Sequence, residues 1–347
     1  MFAFRKITPS FGADIVTVPE LTLPASGMVT IEVAAAGICG SDLHAYEWTP
    51  GYEFMEALLP LTLGHEFSGT VKAVGADVTN VQIGDRVVCW PTITCHECHA
   101  CKAGRSQDCI NRRIIGLHLN GGFAEQVTVP AVNCFPVPDE LPLDVAALTE
   151  PLAIAVHAVN TAEISSGDRV LILGPGPIGL GMGFVATNRG ADVLIAGFND
   201  EFRLDHARKL GIKWTVDLAM EALSDAVERH FGQPVDRVLE ATGIANSVNE
   251  GLAVLRSSGI FVVAGIHSKP LELDLTRFVR EKKQLRAAHD TTHEAITEAI
   301  HLLAAHTEIL STMATHHCPL SQATEGFELA RSREAVKVLL IPEGERE

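Results

Sequence analysis

Apolar residues follow two rhythms along this chain. From Met1 to about Val137 they come as short β-branched runs broken by Gly, Pro and Asp: MVTIEVAAAG, FSGTVKAVG, GDRVVCW and GGFAEQVTVP. Strands so short and so closely spaced predict an antiparallel barrel or sandwich. From Ser165 the beat becomes strand, glycine turn, helix: DRVLILGPGPIGLGMGFVATNRG, then ADVLIAG, then a charged helix over about Asp200 to Leu210. VDRVLEATG and GIFVVAGI add two apolar strands separated by a helical stretch, which predicts a doubly wound parallel sheet in an α/β fold. Past about residue 290, HEAITEAIHLLAAH, a helix near Gln322 to Arg331 and the strand AVKVLLIP depart from that beat, and pattern alone leaves open whether they rejoin the first domain.

Composition narrows the partners. A chain of 347 residues suggests two domains, each able to bury its own core. A formal charge of −16, with no Lys/Arg-rich run to reverse it locally, argues against nucleic acid and anionic membranes. MFAFRKITPSFGADIV lacks the apolar core of a signal peptide, and no apolar stretch reaches the roughly 18 residues of a membrane span, so a cytoplasmic location is expected. Thiols stay reduced there, and the eight cysteines read as metal ligands or buried thiols rather than as a disulfide framework.

GPGPIG, Gly174 to Gly179, directly follows the strand VLIL and opens a helix, the setting in which GxGxxG predicts a dinucleotide site. Gly174 permits the tight turn, Gly176 lets the backbone approach a pyrophosphate, and Gly179 lets helix and strand pack. An NAD site usually carries an acid at the end of the next strand. Here Gly197 or Phe198 stands there, with the nearest acid at Asp200 and a basic residue, Arg203, a few positions on. NAD and NADP both stay open, with the lean to NAD because no basic cluster replaces the acid.

Scattered ligand types form a second signal. GICGSDLH puts Cys39, Ser41, Asp42 and His44 in a turn after a strand, LGHEFSG pairs His65 with Glu66, and TEPLAIAVHA sets Glu150 at the head of a helix. Singly these read as a buried thiol, a core histidine and a helix-terminal charge. Together they supply the thiolate, imidazole and carboxylates of an open zinc site. Such a site has a use in hydride transfer, because an alcohol must lose its hydroxyl proton and zinc lowers the cost of that loss. Ser41 and His44 are the candidates to pass the proton toward solvent. Trp48, Phe54, Leu117 and His118 are the candidates for a substrate pocket.

These motifs, in this order and approximate spacing, resemble the zinc-dependent medium-chain alcohol and polyol dehydrogenases: GxCGSDxH at 37–44, GHEFSG at 64–69, the four-cysteine lobe at 95–109, EPLA at 150–153 and GPGPIG at 174–179. The resemblance implies a GroES-like β barrel over residues 1–154, a Rossmann nicotinamide-cofactor domain over 155–290, and a tail, 291–347, that returns to the barrel. It implies Cys39 and His65 as ligands of a catalytic zinc, with Glu66 and Glu150 as alternate or additional ligands and Ser41 and His44 as the proton relay. It further implies cofactor contacts at Gly174, Gly176, Pro177, Ile178, Gly179, Gly197, Phe198, Arg203, Thr242 and Gly265. A structural zinc would sit on Cys95, Cys98, Cys101 and Cys109. The spacing agrees: CxxCxxC and a fourth cysteine after seven residues can converge on one ion, and four thiolates leave no place for substrate. His96 and His99 then read as exposed loop residues.

SDLHAYEW and EPLA resemble the sorbitol and threonine branch. Threonine dehydrogenases usually carry His where Thr92 stands and Asp where Glu150 stands, which favours a polyol, cyclitol or sugar-derived secondary alcohol. The expected protein is thus an oxidoreductase with two zinc ions per chain and NAD or NADP, acting on a small alcohol or ketone. The resemblance implies a homodimer or homotetramer. The rival readings are a threonine-type amino-alcohol dehydrogenase and a non-catalytic nucleotide sensor; the Cys39, His65 and Glu150 set argues against the sensor.

Overall fold

The computed structural model describes residues Met1 to Glu343. The chain divides into two compact units, one formed by Met1–Glu150 with Thr292–Glu347 and the other by Pro151–Thr291.

In the first unit a seven-stranded sheet runs in the order Cys134–Pro136, Arg86–Cys89, Glu66–Val74, Met28–Gly37, Lys337–Ile341, Ala314–Pro319, with Gln126–Pro130 also pairing with Met28–Gly37. Met28–Gly37 is the spine, antiparallel to Glu66–Val74 on one side and to the C-terminal strand Lys337–Ile341 on the other. Its β-branched residues suit a paired strand, and Val29, Ile31 and Val33 go into the core with Phe4, Phe67, Phe123, Phe327 and Leu340. The pairing sets Gly37 opposite Glu66 and Leu339 opposite Gly37. The tail therefore completes the sheet of the first unit, which the sequence pattern had left open.

Cys39 to His44 do not lie in a turn. Gly40–Glu47 is an α-helix whose N-cap is Cys39, closed by a capping box in which the Asp42 carboxylate accepts from the Cys39 N–H at 3.0 Å. The far end of that helix is held by Lys6. Its side chain is buried, and its ammonium donates to the carbonyls of Ser10, Gly12 and Tyr46. A cation at a helix C-terminus also complements the dipole.

The second unit is a six-stranded parallel sheet in the order Trp214–Asp217, Asp192–Gly197, Arg169–Leu173, Val235–Glu240, Leu255–Val263, Gln284–Ala287. This is the doubly wound order, with the reversal beside the strand that leads into Gly174. Gly174 sits at φ 101°, open to few residues but glycine, and a Cβ on Gly179 would lie 1.8 Å from the Gly174 carbonyl oxygen. Gly176 faces open space and N-caps the helix Pro177–Asn188, with proline in the first turn, where its missing N–H costs nothing.

Asp236 pins the N-terminal ends of these strands. Its carboxylate accepts from the Arg169 backbone N–H at 3.0 Å, from Arg169 Nε at 2.8 Å and from Arg256 Nε at 2.6 Å. Burial would raise its pKa, but the Arg169 and Arg256 hydrogen bonds outweigh that and hold it well below the usual carboxylate range. An unfolded chain takes up this proton near pH 3.9, and the folded one only at lower pH. The carboxylate's contribution is therefore complete above about pH 5 and is lost as the pH falls below about 4. Asp236→Asn should cost about 2 kcal/mol at neutral pH and flatten that acid limb. Urea midpoints for both proteins between pH 3 and 7 measure it, and parallel acid limbs would remove the role.

Candidate active site

Cys39, His65 and Glu66 converge in the first unit, each offering a ligand atom within 4.8 Å of the others. Cys39 puts its sulfur at a helix N-terminus, where the dipole favours negative charge. His65 and Glu66 stand where the chain enters the strand Glu66–Val74. Both are buried.

Asp42 organises the group, a role that sequence reasoning missed. It is fully buried, accepts from the Gly64 N–H at 3.3 Å as well as from Cys39, and lies 3.5 Å from His65 Nδ1. A carboxylate there turns Nε2 toward the opposite side, where the Ser41 hydroxyl lies 3.3 Å away. Burial alone would lower the His65 pKa; Asp42 and Cys39 overcome it and hold the imidazole well above its ordinary value. The signal for Asp42 was present, since an acid three residues after an N-cap is the mark of a capping box.

Lys337 was missed for a different reason. It belongs to the C-terminal strand, yet its ammonium is buried and donates to Glu66 Oε1 at 2.8 Å, to Glu66 Oε2 at 2.6 Å and to the Ile38 carbonyl at 3.0 Å. Burial would lower its pKa, and the charges of Glu66 and Cys39 reverse that and raise it. Gly37 leaves the room this pair needs, because a Cβ there would fall 2.3 Å from Glu66 Oε2.

Glu150 is the second residue of the helix Thr149–Thr161 and is buried, but it is not one of the three that cluster. It adds to the field on Lys337. His44 lies three residues after Ser41 on the same helix, with Nδ1 3.1 Å from the Thr49 hydroxyl. A file of rings leads away from it: His44 to Tyr52 at 5.7 Å, Tyr52 to Phe54 at 5.9 Å, Phe54 to His118 at 4.8 Å between centroids. Burial, then the charges of Cys39 and Asp42, raise the Tyr52 phenol. Trp48 is the left-handed C-cap of the helix and Leu117 is buried.

Cys95, Cys98, Cys101 and Cys109 form the second cluster, again within 4.8 Å of one another. Backbone N–H groups point at the sulfurs, from Cys95 to Cys109 Sγ at 3.3 Å and from Cys98 to Cys95 Sγ at 3.4 Å. The N–H groups of Cys101 and Ile110 bring the Cys98 thiol down to about 6. His96 and His99 are exposed.

Both donor sets fit zinc. The first mixes sulfur, nitrogen and oxygen on one half-buried and two buried side chains, and the second is four thiols.

In the second unit, Gly197 ends its strand opposite Asp217, whose Oδ1 accepts from the backbone of Asn199 and Ala219. Phe198 is exposed. Asp200 caps the helix Glu201–Lys209 and lies 3.5 Å from the guanidinium of Arg203, with both side chains largely buried. Thr242 and Gly265 stand in the loops after the strands Val235–Glu240 and Leu255–Val263.

Known proteins bear directly on these sites. Residues 25–139 match the alcohol dehydrogenase GroES-like domain, and residues 177–305 match a domain described as zinc-binding dehydrogenase. The L-threonine 3-dehydrogenase of Bacillus subtilis (strain 168) is 35% identical over 346 residues, covering 99% of each chain. The D-arabitol-phosphate dehydrogenase of Enterococcus avium is 36% identical over 329 residues, covering 93% of this chain and 92% of that one. Among solved structures, a zinc-binding dehydrogenase from Sinorhizobium meliloti 1021 bound to NADP superposes with a TM-score of 0.87 at 30% identity, covering 98% of this chain and 99% of that one.

Proposed function

We propose that this chain, which belongs to the zinc-dependent medium-chain alcohol dehydrogenases, interconverts a secondary alcohol of a polyol, cyclitol or sugar-derived substrate with its ketone. Zinc-dependent oxidation of a CH–OH group with a nicotinamide cofactor follows from membership; the substrate class is our own reading. The observation that carries it is the file of rings from His44 through Tyr52 and Phe54 to His118, whose flat faces suit C–H bonds and whose edges offer hydrogen bonds to several hydroxyls.

In this reading Cys39 and His65 hold the catalytic metal, with Glu66 and Glu150 as the further acids near it. The ion supplies Lewis acidity toward the alcohol oxygen. Asp42 keeps the His65 ring in place, and Ser41 and His44, one helical turn apart, carry the hydroxyl proton outward. Cys95, Cys98, Cys101 and Cys109 hold a second, structural zinc. Cys98→Ser should therefore release one ion and lower stability while the folded fraction keeps near-normal turnover; lost turnover in a fully stable protein would contradict the role.

The cofactor we propose is NAD. A 2′-phosphate near Arg203 would also meet the Asp200 carboxylate that accompanies it. The cofactor turn comprises Gly174, Gly176, Pro177, Ile178 and Gly179, with Gly197, Phe198, Thr242 and Gly265 completing the contacts. A soluble, cytoplasmic homodimer or homotetramer is part of the same proposal.

The similarity to the Bacillus subtilis enzyme favours a second reading, an amino-alcohol substrate such as L-threonine. One panel decides: sorbitol, xylitol, inositol, arabitol, D-arabitol phosphate and L-threonine, each with NAD and NADP, followed by nicotinamide absorbance. A polyol or its phosphate should exceed threonine in kcat/KM. A preference for threonine establishes the second reading, and faster turnover with NADP overturns the cofactor choice.

A further inference from the structure

Among the described residues of the second unit, Glu240 carries a fully buried carboxylate that the reading above does not use. It ends the strand Val235–Glu240. Its Oε1 accepts from the Thr242 N–H at 2.6 Å, the Thr242 hydroxyl at 2.5 Å and the Gly243 N–H at 2.8 Å. Its Oε2 accepts from His267 Nε2 at 2.9 Å. The backbone joins in, with the N–H groups of Ala264 and Gly265 donating to the Glu240 carbonyl at 2.9 and 3.1 Å. Gly265 makes the approach possible, since a Cβ there would lie 2.8 Å from Glu240 Oε2. One side chain thus ties together the loops that follow two neighbouring strands.

Those loops lie at the C-terminal edge of the parallel sheet, where such folds bind their ligand. They are next to the glycine turn, because a Cβ on Gly174 would fall 2.9 Å from the Thr242 methyl group. The pyrophosphate belongs to that turn, and the end of the strand Asp192–Gly197 belongs to the adenosine ribose. Val235–Glu240 and Leu255–Val263 lie on the other side of the turn, so their loops meet the nicotinamide half. Ile244 and Ile266, 52% and 60% exposed in these same loops, offer apolar surface suited to a flat ring.

A carboxylate only accepts, so the nitrogen facing Glu240 carries the hydrogen and Nδ1 of a neutral His267 keeps its lone pair. The side chain is 19% exposed, which leaves it reachable from solvent.

We propose that His267 is a cofactor-binding residue: Nδ1 accepts a hydrogen bond from a hydroxyl of the nicotinamide-side ribose, and Glu240 is the positioning residue that fixes the ring and its tautomer. This rests on the nicotinamide-cofactor reading. The test is equilibrium binding to the full chain, by calorimetry, of NADH, ADP-ribose and ADP. ADP-ribose retains the ribose in question, and ADP stops at the pyrophosphate. His267→Ala should weaken NADH and ADP-ribose about three- to tenfold, the worth of one neutral hydrogen bond, and leave ADP within about twofold. His267→Gln, whose amide can donate to Glu240 and present an oxygen, should recover at least half of the loss in logarithmic terms. The proposal is overturned by unchanged ADP-ribose affinity, by an equal loss for ADP, or by no recovery in the glutamine variant. A wild-type chain that binds neither NADH nor NADPH would instead refute the cofactor reading beneath it.

Discussion

Replacing Cys39 with serine will leave the chain folded, with one zinc ion in place of two and with kcat/KM lower by about a thousandfold or more. The size follows from the several kcal/mol that a Lewis acid contributes at a developing oxyanion, at about 1.4 kcal/mol per tenfold. Serine keeps the helix cap, since the Asp42 carboxylate receives the backbone N–H of residue 39 and a serine hydroxyl can accept the Asp42 N–H in place of the Cys39 sulfur. Little fold stability should therefore be lost. Metal content by mass spectrometry, thermal midpoint and ADP affinity separate the outcomes. Two ions retained with normal turnover would remove Cys39 from the site, and ADP affinity that falls with turnover would point to general damage.

Lys337→Met should destabilise the first unit strongly, by about 3–5 kcal/mol. Its methylene chain is replaced by a side chain of similar length, so packing changes little. What changes is Glu66, whose carboxylate has 0% exposure and loses the ammonium that meets both of its oxygens. A buried charge left without its partner costs more than the pair was worth. The double variant Lys337→Met with Glu66→Gln removes both charges and should regain part of the loss. Urea midpoints measure all three proteins. A single variant within about 0.5 kcal/mol of wild type, the range of an ordinary surface substitution, would end the argument.

These residues differ in how visible they were beforehand. The thiol-rich lobe announces itself because its four cysteines are close in sequence, so spacing alone limits the geometry. GPGPIG is legible because strand and helix flank it. The helix Gly40–Glu47 looks like a turn in sequence because eight residues with little apolar periodicity carry no helical signal; the cap at Cys39 and Asp42 is the local clue. Lys337 sits in AVKVLLIP, which reads as any alternating strand, and only sheet register takes it to Glu66. Register likewise sets Cys89 directly opposite Cys134, two thiols whose sequence positions suggest no relation. His267 falls in the same class, since its partner is 27 residues away at the end of another strand. The two-unit fold was readable from hydrophobic rhythm, whereas contacts made by sheet pairing were not.

The C-terminal strand gives the first unit a fixed order of assembly. Lys337 reaches Glu66 across 271 residues and Ile38 across 299, so a ribosome must add all of that intervening chain before the acid beside Cys39 and His65 acquires its counter-charge. Until then the early strands emerge with an acid destined for burial and no cation to meet it. Products that stop short of Lys337 should accumulate as loose, protease-sensitive chains, and the site becomes competent only once Lys337 has been added.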